Sequence, residues 1–333
     1  MHLPDRRLAA GPDQSLAAGL AEGTVILDGG LSNQLVDQGC DLSGALWSAR
    51  LLADDPRQIE AAHTAYVRAG AQVLITASYQ ASYQGFAHRG LPAADTSRLL
   101  RRSVELARRA ASARRGRPGE STRSGHGAQR GQPEVWVAAS VGPYGAMLAD
   151  GSEYRGRYGL SVAELERFHR PRIESLASAA PDVLALETVP DIDEAEALLR
   201  AAEGTGVPVW LSYTVDGGRT RAGQPLGEAF ALAAEEEQVI AVGVNCCTPA
   251  EASRAVPLAA ESGKPVVVYP NSGESWDTAA ARWSGHRTFD PERVHRWQDA
   301  GARLVGGCCR VGPGDITELA WLVRPDTKGE NAR

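Results

Sequence analysis

The sequence predicts a single (β/α)8 barrel of the α/β class, and three observations carry the prediction. Eight short runs rich in Val, Ile and Leu recur along the chain, each followed by a helical or loop-plus-helix segment. The runs are near-continuous rather than alternating, which suits parallel strands buried on both faces. Polar clusters stand at the C-terminal ends of the runs, the face on which barrels of this type carry their active sites. An open doubly wound sheet is the competing architecture. It is disfavoured because no Gly-x-Gly-x-x-Gly joins a first strand to its helix.

Residues 1–22 are polar and rich in Ala and Gly, and read as a loose leader before a barrel domain over residues 23–325. The first strand, residues 24–27, closes on Asp28-Gly29-Gly30. Helical spacing of Ile59, Ala62, Tyr66 and Val67 predicts a helix over 56–70. The second strand, 72–76, is followed by a helix over 96–113. Residues 114–133, dominated by Arg, Gly, Ser and Pro, cannot bury enough apolar surface to order themselves and read as a flexible surface insertion. A basic nucleic-acid arm is the alternative, but the segment lacks interleaved aromatics and the chain is acidic. The remaining strands are 135–139, 183–186, 208–212, 239–244, 265–268 and 303–305, ending near Tyr144, Glu187, Tyr213, Asn245-Cys246, Tyr269 and Gly306-Gly307-Cys308. Residues 326–333 form a C-terminal tail.

With 333 residues, 43% hydrophobic and 23% charged, the chain can bury a sizeable core. A net charge of −6 argues against nonspecific nucleic-acid binding. No apolar run reaches the roughly 18 residues of a membrane span. Residues 1–20 lack the apolar core of a secretory signal, which points to the cytoplasm.

Four of the five cysteines form two doublets, Cys246-Cys247 and Cys308-Cys309. Cys40 reads as a small buried hydrophobe. Neighbouring residues in a strand face opposite sides, so Cys308 and Cys309 can share an ion only where the strand stops alternating, which Gly306-Gly307 would permit. Zinc favours thiolates, and catalytic zinc keeps one position open. Spacing alone leaves zinc level with buried or redox-active thiols, because no Cys-x-x-Cys is present. His63, His169, His286 and His295 read as solvated or packed side chains rather than ligands.

Several segments resemble one enzyme family: residues 27–30, 46–48, 75–81, 140–145, 149–156, 187–188, 243–246, 268–274 and 306–309. Together they are similar to the zinc-dependent homocysteine S-methyltransferases, over nearly the whole chain. Residues 149–156 and 269–274 resemble the subgroup that uses S-methylmethionine or S-adenosylmethionine. The resemblance implies a Zn2+ site at Cys246, Cys308 and Cys309; Cys247 departs from the motif and is left as a structural thiol or one that supports the ligands from behind. It also implies that Asp28 and Glu187 hold homocysteine, although a turn cap and a structural ion pair are their alternatives. Gly29 and Gly30 would receive the substrate carboxylate through backbone N–H groups, and Asn245 joins the substrate-binding set. Trp47 and Tyr144 could face the sulfonium through cation–π attraction of about 1–2 kcal/mol, with core or rim packing as their alternative.

The implied reaction needs no general acid, flavin, nicotinamide or phosphate loop, since the leaving group is a neutral thioether. The partners are small molecules, with no nucleic acid or membrane, and self-association into a homo-oligomer is left open. A selenocysteine or other thiol methyltransferase, or a non-catalytic zinc-containing amino-acid-binding barrel, are the rival readings.

Overall fold

The computed structural model describes residues 15–42, 46–113, 135–277 and 282–324. The segment before residue 15, the expected insertion 114–133 and the expected tail 326–333 lie outside the described residues.

Each apolar run becomes a strand: β1 Val25–Ile26, β2 Val73–Ile75, β3 Trp136–Val141, β4 Val183–Val189, β5 Val209–Tyr213, β6 Val239–Asn245, β7 Val266–Tyr269 and β8 Ala302–Val305. All pair in parallel and in sequential order around one ring. β1 meets β8 through Val25–Leu304 and Ile26–Val305. The ring closes between β1 and β2, where Leu27 pairs with Val73 and the Asp28 N–H donates to the Val73 carbonyl at 3.0 Å. Eight parallel strands in a ring with surrounding helices make the predicted barrel. Its strand C-termini, and the polar residues that follow them, share one mouth.

Alternate residues of each strand enter two separate cores. Ala138, Ala185, Ala241, Trp210 and Tyr269 pack within the ring, while Val137, Leu184, Leu186, Val242 and Val244 pack against the helices. Small and large interior side chains complement one another, so the ring is filled rather than hollow.

Two expectations change. The leader assigned to residues 1–22 ends in a helix, α1 (Leu16–Glu22), with Ser15 Oγ accepting from the Ala18 N–H at 3.2 Å. Leu16 and Leu20, four residues apart, pack with Trp136 and Val25 in the inner core and are fully buried. Each such leucine contributes about 2 kcal/mol of burial, enough to order a short helix that composition alone reads as loose. The helix expected from residue 96 starts earlier, at Ala93, and runs to Ala113. Thr96 does not cap it; the hydroxyl is buried and donates back to the Pro92 carbonyl at 3.3 Å. No helix among the described residues is long and apolar enough to cross a membrane.

Candidate metal centre and active site

The first doublet follows β6. Inner-core Ala241 and outer-core Val242 and Val244 set an alternation that would send Asn245 inward and Cys246 outward. Cys246 instead takes φ 52°, in the left-handed region, which turns its side chain back toward the mouth. Cys247 then enters the outer core, 1% exposed, where burial pushes its thiol up. Asn245 holds this turn in place. Its Oδ1 accepts from the Thr188 N–H at 2.7 Å and the Ser212 hydroxyl at 2.9 Å, and its Nδ2 donates to Thr188 Oγ1 at 2.8 Å. Thr188 is itself left-handed at φ 59°, so Asn245 clips together the ends of β4 and β6. Its amide is committed to these neighbours, and it is not among the residues lining the cavity.

The second doublet follows β8. Neither Gly306 nor Gly307 has a positive φ; both are needed for space. A Cβ on Gly306 would lie 2.6 Å from Leu27 Cβ, and one on Gly307 would lie 2.1 Å from Val311 Cγ1. The close approach lets the chain leave the ladder, after which Cys308 N–H donates to the Pro270 carbonyl at 2.8 Å and Cys309 N–H to Asn271 Oδ1 at 3.1 Å. Arg310, at φ 62°, completes the turn.

These two backbones bring three sulfurs together. Cys308 Sγ lies 3.3 Å from Cys246 Sγ, Cys309 Sγ lies 3.9 Å from Cys246 Sγ, and the two adjacent thiols are 4.0 Å apart. The set could hold one metal ion. S–H donation from Cys308 and Cys309 holds the Cys246 thiol well below the ordinary range and holds its two donors above it. Cys40 lies apart, half-buried against the core. Among the described residues no histidine joins the sulfurs. His169 bonds Glu194 at 3.0 Å deep in the fold, and burial lowers His63 to about 4.

A cavity of about 730 Å³ opens over the sulfurs. Glu187 lines it from the end of β4, with Oε2 accepting from the Tyr269 hydroxyl at 3.0 Å and Oε1 from the Ser140 hydroxyl. Burial raises this carboxyl to about 7 despite both donors. Asp28 is fully buried behind Gly29 and Gly30, which do line the cavity. Its Oδ2 accepts from the Ile75 N–H at 2.9 Å, Oδ1 has no partner, and burial pushes the carboxyl well up. The Gly30 N–H donates to the Val311 carbonyl at 2.9 Å, so that donor is already engaged.

The aromatic expectations fare differently. Tyr144 opens the short helix Tyr144–Leu148 but does not line the cavity; its ring makes a tilted contact with Tyr158 at 5.2 Å and an edge-on one with Phe168 at 4.8 Å. Trp47 begins the helix Trp47–Asp54 beside cavity-lining Ser48, but its side chain lies outside the described residues. The rings that do line the cavity are Tyr79, Tyr154 and Tyr269, and Tyr154 brings its hydroxyl 3.5 Å from Cys246 Sγ. Tyr79, Glu153 and Tyr154 were missed as functional candidates, although all three stand in strand-end segments already singled out by motif. Their direction into the mouth was not readable from spacing.

Residues 25–323 match the family model described as homocysteine S-methyltransferase. The chain is 44% identical over 303 residues to the homocysteine S-methyltransferase of Escherichia coli (strain K12), covering 89% of this chain and 94% of that protein. It is 41% identical over 306 residues to homocysteine S-methyltransferase YbgG of Bacillus subtilis (strain 168), covering 90% and 94%. The crystal structure of the Escherichia coli homocysteine methyltransferase MmuM in its metallated form superposes with a TM-score of 0.78 at 41% identity, covering 90% of this chain and 96% of that one. A mouth built around three convergent thiols, on a barrel that matches these proteins from first strand to last helix, places the chain in the homocysteine S-methyltransferase family.

Proposed function

We propose that this protein is a zinc-dependent homocysteine S-methyltransferase that moves a methyl group from a sulfonium donor, S-methylmethionine or S-adenosylmethionine, to L-homocysteine, giving L-methionine. The observation that carries the reading is the convergence of Cys246, Cys308 and Cys309 at 3.3–4.0 Å beneath the cavity. Tetrahedral zinc with Zn–S bonds of about 2.3 Å requires sulfurs about 3.8 Å apart, so the three thiols fit that ion. An all-sulfur donor set also matches zinc better than magnesium or calcium.

Zinc held by these cysteines would keep the homocysteine thiol deprotonated at neutral pH, where a free alkyl thiol is mostly protonated. The chain's own residues do the rest. Glu187, poised by Ser140 and Tyr269, accepts the homocysteine ammonium, and Asp28, buried behind Gly29 and Gly30, braces the first strand end by accepting from the Ile75 N–H. Gly29 and Gly30 shape the floor without side chains, leaving room for the substrate backbone. Leu31, Leu42 and Leu148 give the mouth an apolar wall. In the transfer, the acceptor sulfur forms the new S–CH3 bond as the donor S–CH3 bond breaks, and the bonding pair leaves with the donor sulfur. Opposite charges disperse along the way, which a dry cavity favours. The donor leaves as a neutral thioether, so no acid is required.

Five thiols, none in a disulfide, suit a reducing compartment such as the cytoplasm. The deciding experiment mixes purified zinc-loaded protein with homocysteine and each sulfonium donor and quantifies methionine. Methionine from at least one donor is expected, and none from any donor would remove the enzymatic reading.

A further inference from the structure

Among the described residues, Glu153 is a buried carboxylate with no cation paired to it. It stands in the single helical turn Ser152–Tyr154, lines the cavity and is 6% exposed. Its Oε2 is buried without a hydrogen-bond partner. No arginine, lysine or histidine pairs with it among the described residues, and the charges that act on it, Cys246 and Asp150, have its own sign. An isolated buried carboxylate is costly, and one that lines a cavity points to a cation arriving from outside the chain.

We infer that Glu153 is a specificity-determining residue for the methyl donor, recognising the fixed positive charge of its sulfonium. The inference rests on the methyl-transfer reading above and assigns a subsite within it. Three features favour this role. Tyr154, the next residue, reaches Cys246 at 3.5 Å, so the turn that bears Glu153 overhangs the thiols where a methyl group must be delivered. The cavity wall beside it consists of the Tyr79 and Tyr154 rings with Leu148 and Ala149. An ammonium group donates three hydrogen bonds and needs acceptors to match; a sulfonium donates none and is satisfied by a carboxylate and aromatic faces. Finally, Glu187 has both oxygens engaged by hydroxyls, a polar nest suited to an ammonium, whereas Glu153 Oε2 is buried without a partner. The two carboxylates thus divide acceptor from donor.

The charge logic also says which kinetic constant moves. A sulfonium loses its charge as the methyl group departs, so Glu153 stabilises the bound donor at least as well as the transition state, and its effect falls on KM rather than kcat. The test is calorimetric titration of the zinc-loaded protein with S-methylmethionine and with homoleucine, its uncharged carbon isostere. The wild type should prefer the sulfonium. Glu153→Gln should reduce that preference about tenfold, raise the donor KM by a similar factor, and leave kcat within about twofold and homocysteine affinity unchanged. An unchanged preference, or a loss of homocysteine affinity in its place, overturns the assignment. Glu153→Asp keeps the charge and should keep most of the preference; it also serves if the Gln variant does not fold, and a folded Asp variant without the preference counts against the inference. Wild-type protein that makes no methionine defeats the methyl-transfer reading, whereas normal turnover with a Gln variant that still prefers the sulfonium defeats the Glu153 subsite alone.

Discussion

The two cysteine doublets have the same composition and different fates. After β6 only Cys246 faces the mouth, turned there by a single left-handed residue, while Cys247 is consumed by the core between barrel and helices. After β8 both thiols reach the same point, because Gly306 and Gly307 press against Leu27 and Val311 and take the chain off the ladder before the sulfurs begin. The number of thiols in a pair therefore does not set the number that reach the mouth. The backbone immediately before them does.

The comparison breaks most visibly at the second doublet. Cys309→Ala should lose bound zinc and lower methyl-transfer activity on the order of 100-fold or more, read by metal analysis and methionine formation. Retained stoichiometric zinc would mean that Cys247 can swing in as a substitute, and the asymmetry between the doublets would collapse.

A slightly smaller effect lies in pH. Glu187 is raised to about 7, first by burial and further by the thiol of Cys246 in the mouth. In the unfolded chain a glutamate titrates near 4.3. The folded state therefore keeps the proton longer, so stability is greatest below the unfolded value and falls as pH rises through about 7. For metal-free, substrate-free protein this dependence amounts to about 4 kcal/mol at most for Glu187. Glu187→Gln should flatten it in urea unfolding at about pH 5 and about pH 8, whereas Cys247→Ala should not. An identical slope in wild type and Glu187→Gln would rule out Glu187 as a source of it.

Gly307→Ala probes how the second doublet leaves its strand. Its new Cβ would lie 2.1 Å from Val311 Cγ1, an overpacking that should cost about 1–3 kcal/mol and lower the thermal midpoint. The smallest effect belongs to Cys247→Ala. Removing a buried sulfur should cost about 1 kcal/mol of stability while metal content and activity hold, and a loss of zinc would reveal a hidden fourth thiolate.

Much of this architecture is legible locally. A buried parallel strand announces itself as a short Val, Ile or Leu run, so eight strands, their order and the mouth could be read without contacts, as could Cys308 and Cys309 beyond β8. The α1 helix could not, because Leu16 and Leu20 acquire meaning only beside Trp136, a residue far along the chain. Tyr144 and Tyr154 illustrate the same limit at the site. Both follow β3 within motif-bearing segments, yet Tyr144 packs against Tyr158 and Phe168 while Tyr154 reaches Cys246. Nothing in their spacing distinguishes them.

The sequence by itself determined the barrel, the strand ends that meet at its mouth and the pool of thiols and carboxylates available there, since each depends on patterns within a few neighbouring residues. Only the tertiary structure decided that Cys246 turns inward, that Asn245 spends its amide clipping Thr188, and that Glu153 lines the cavity with its Oε2 unpartnered. The physical reason is that strand formation follows local hydrophobic periodicity. The aim of a loop side chain, by contrast, is set by left-handed backbone and by close packing against segments tens to hundreds of residues away.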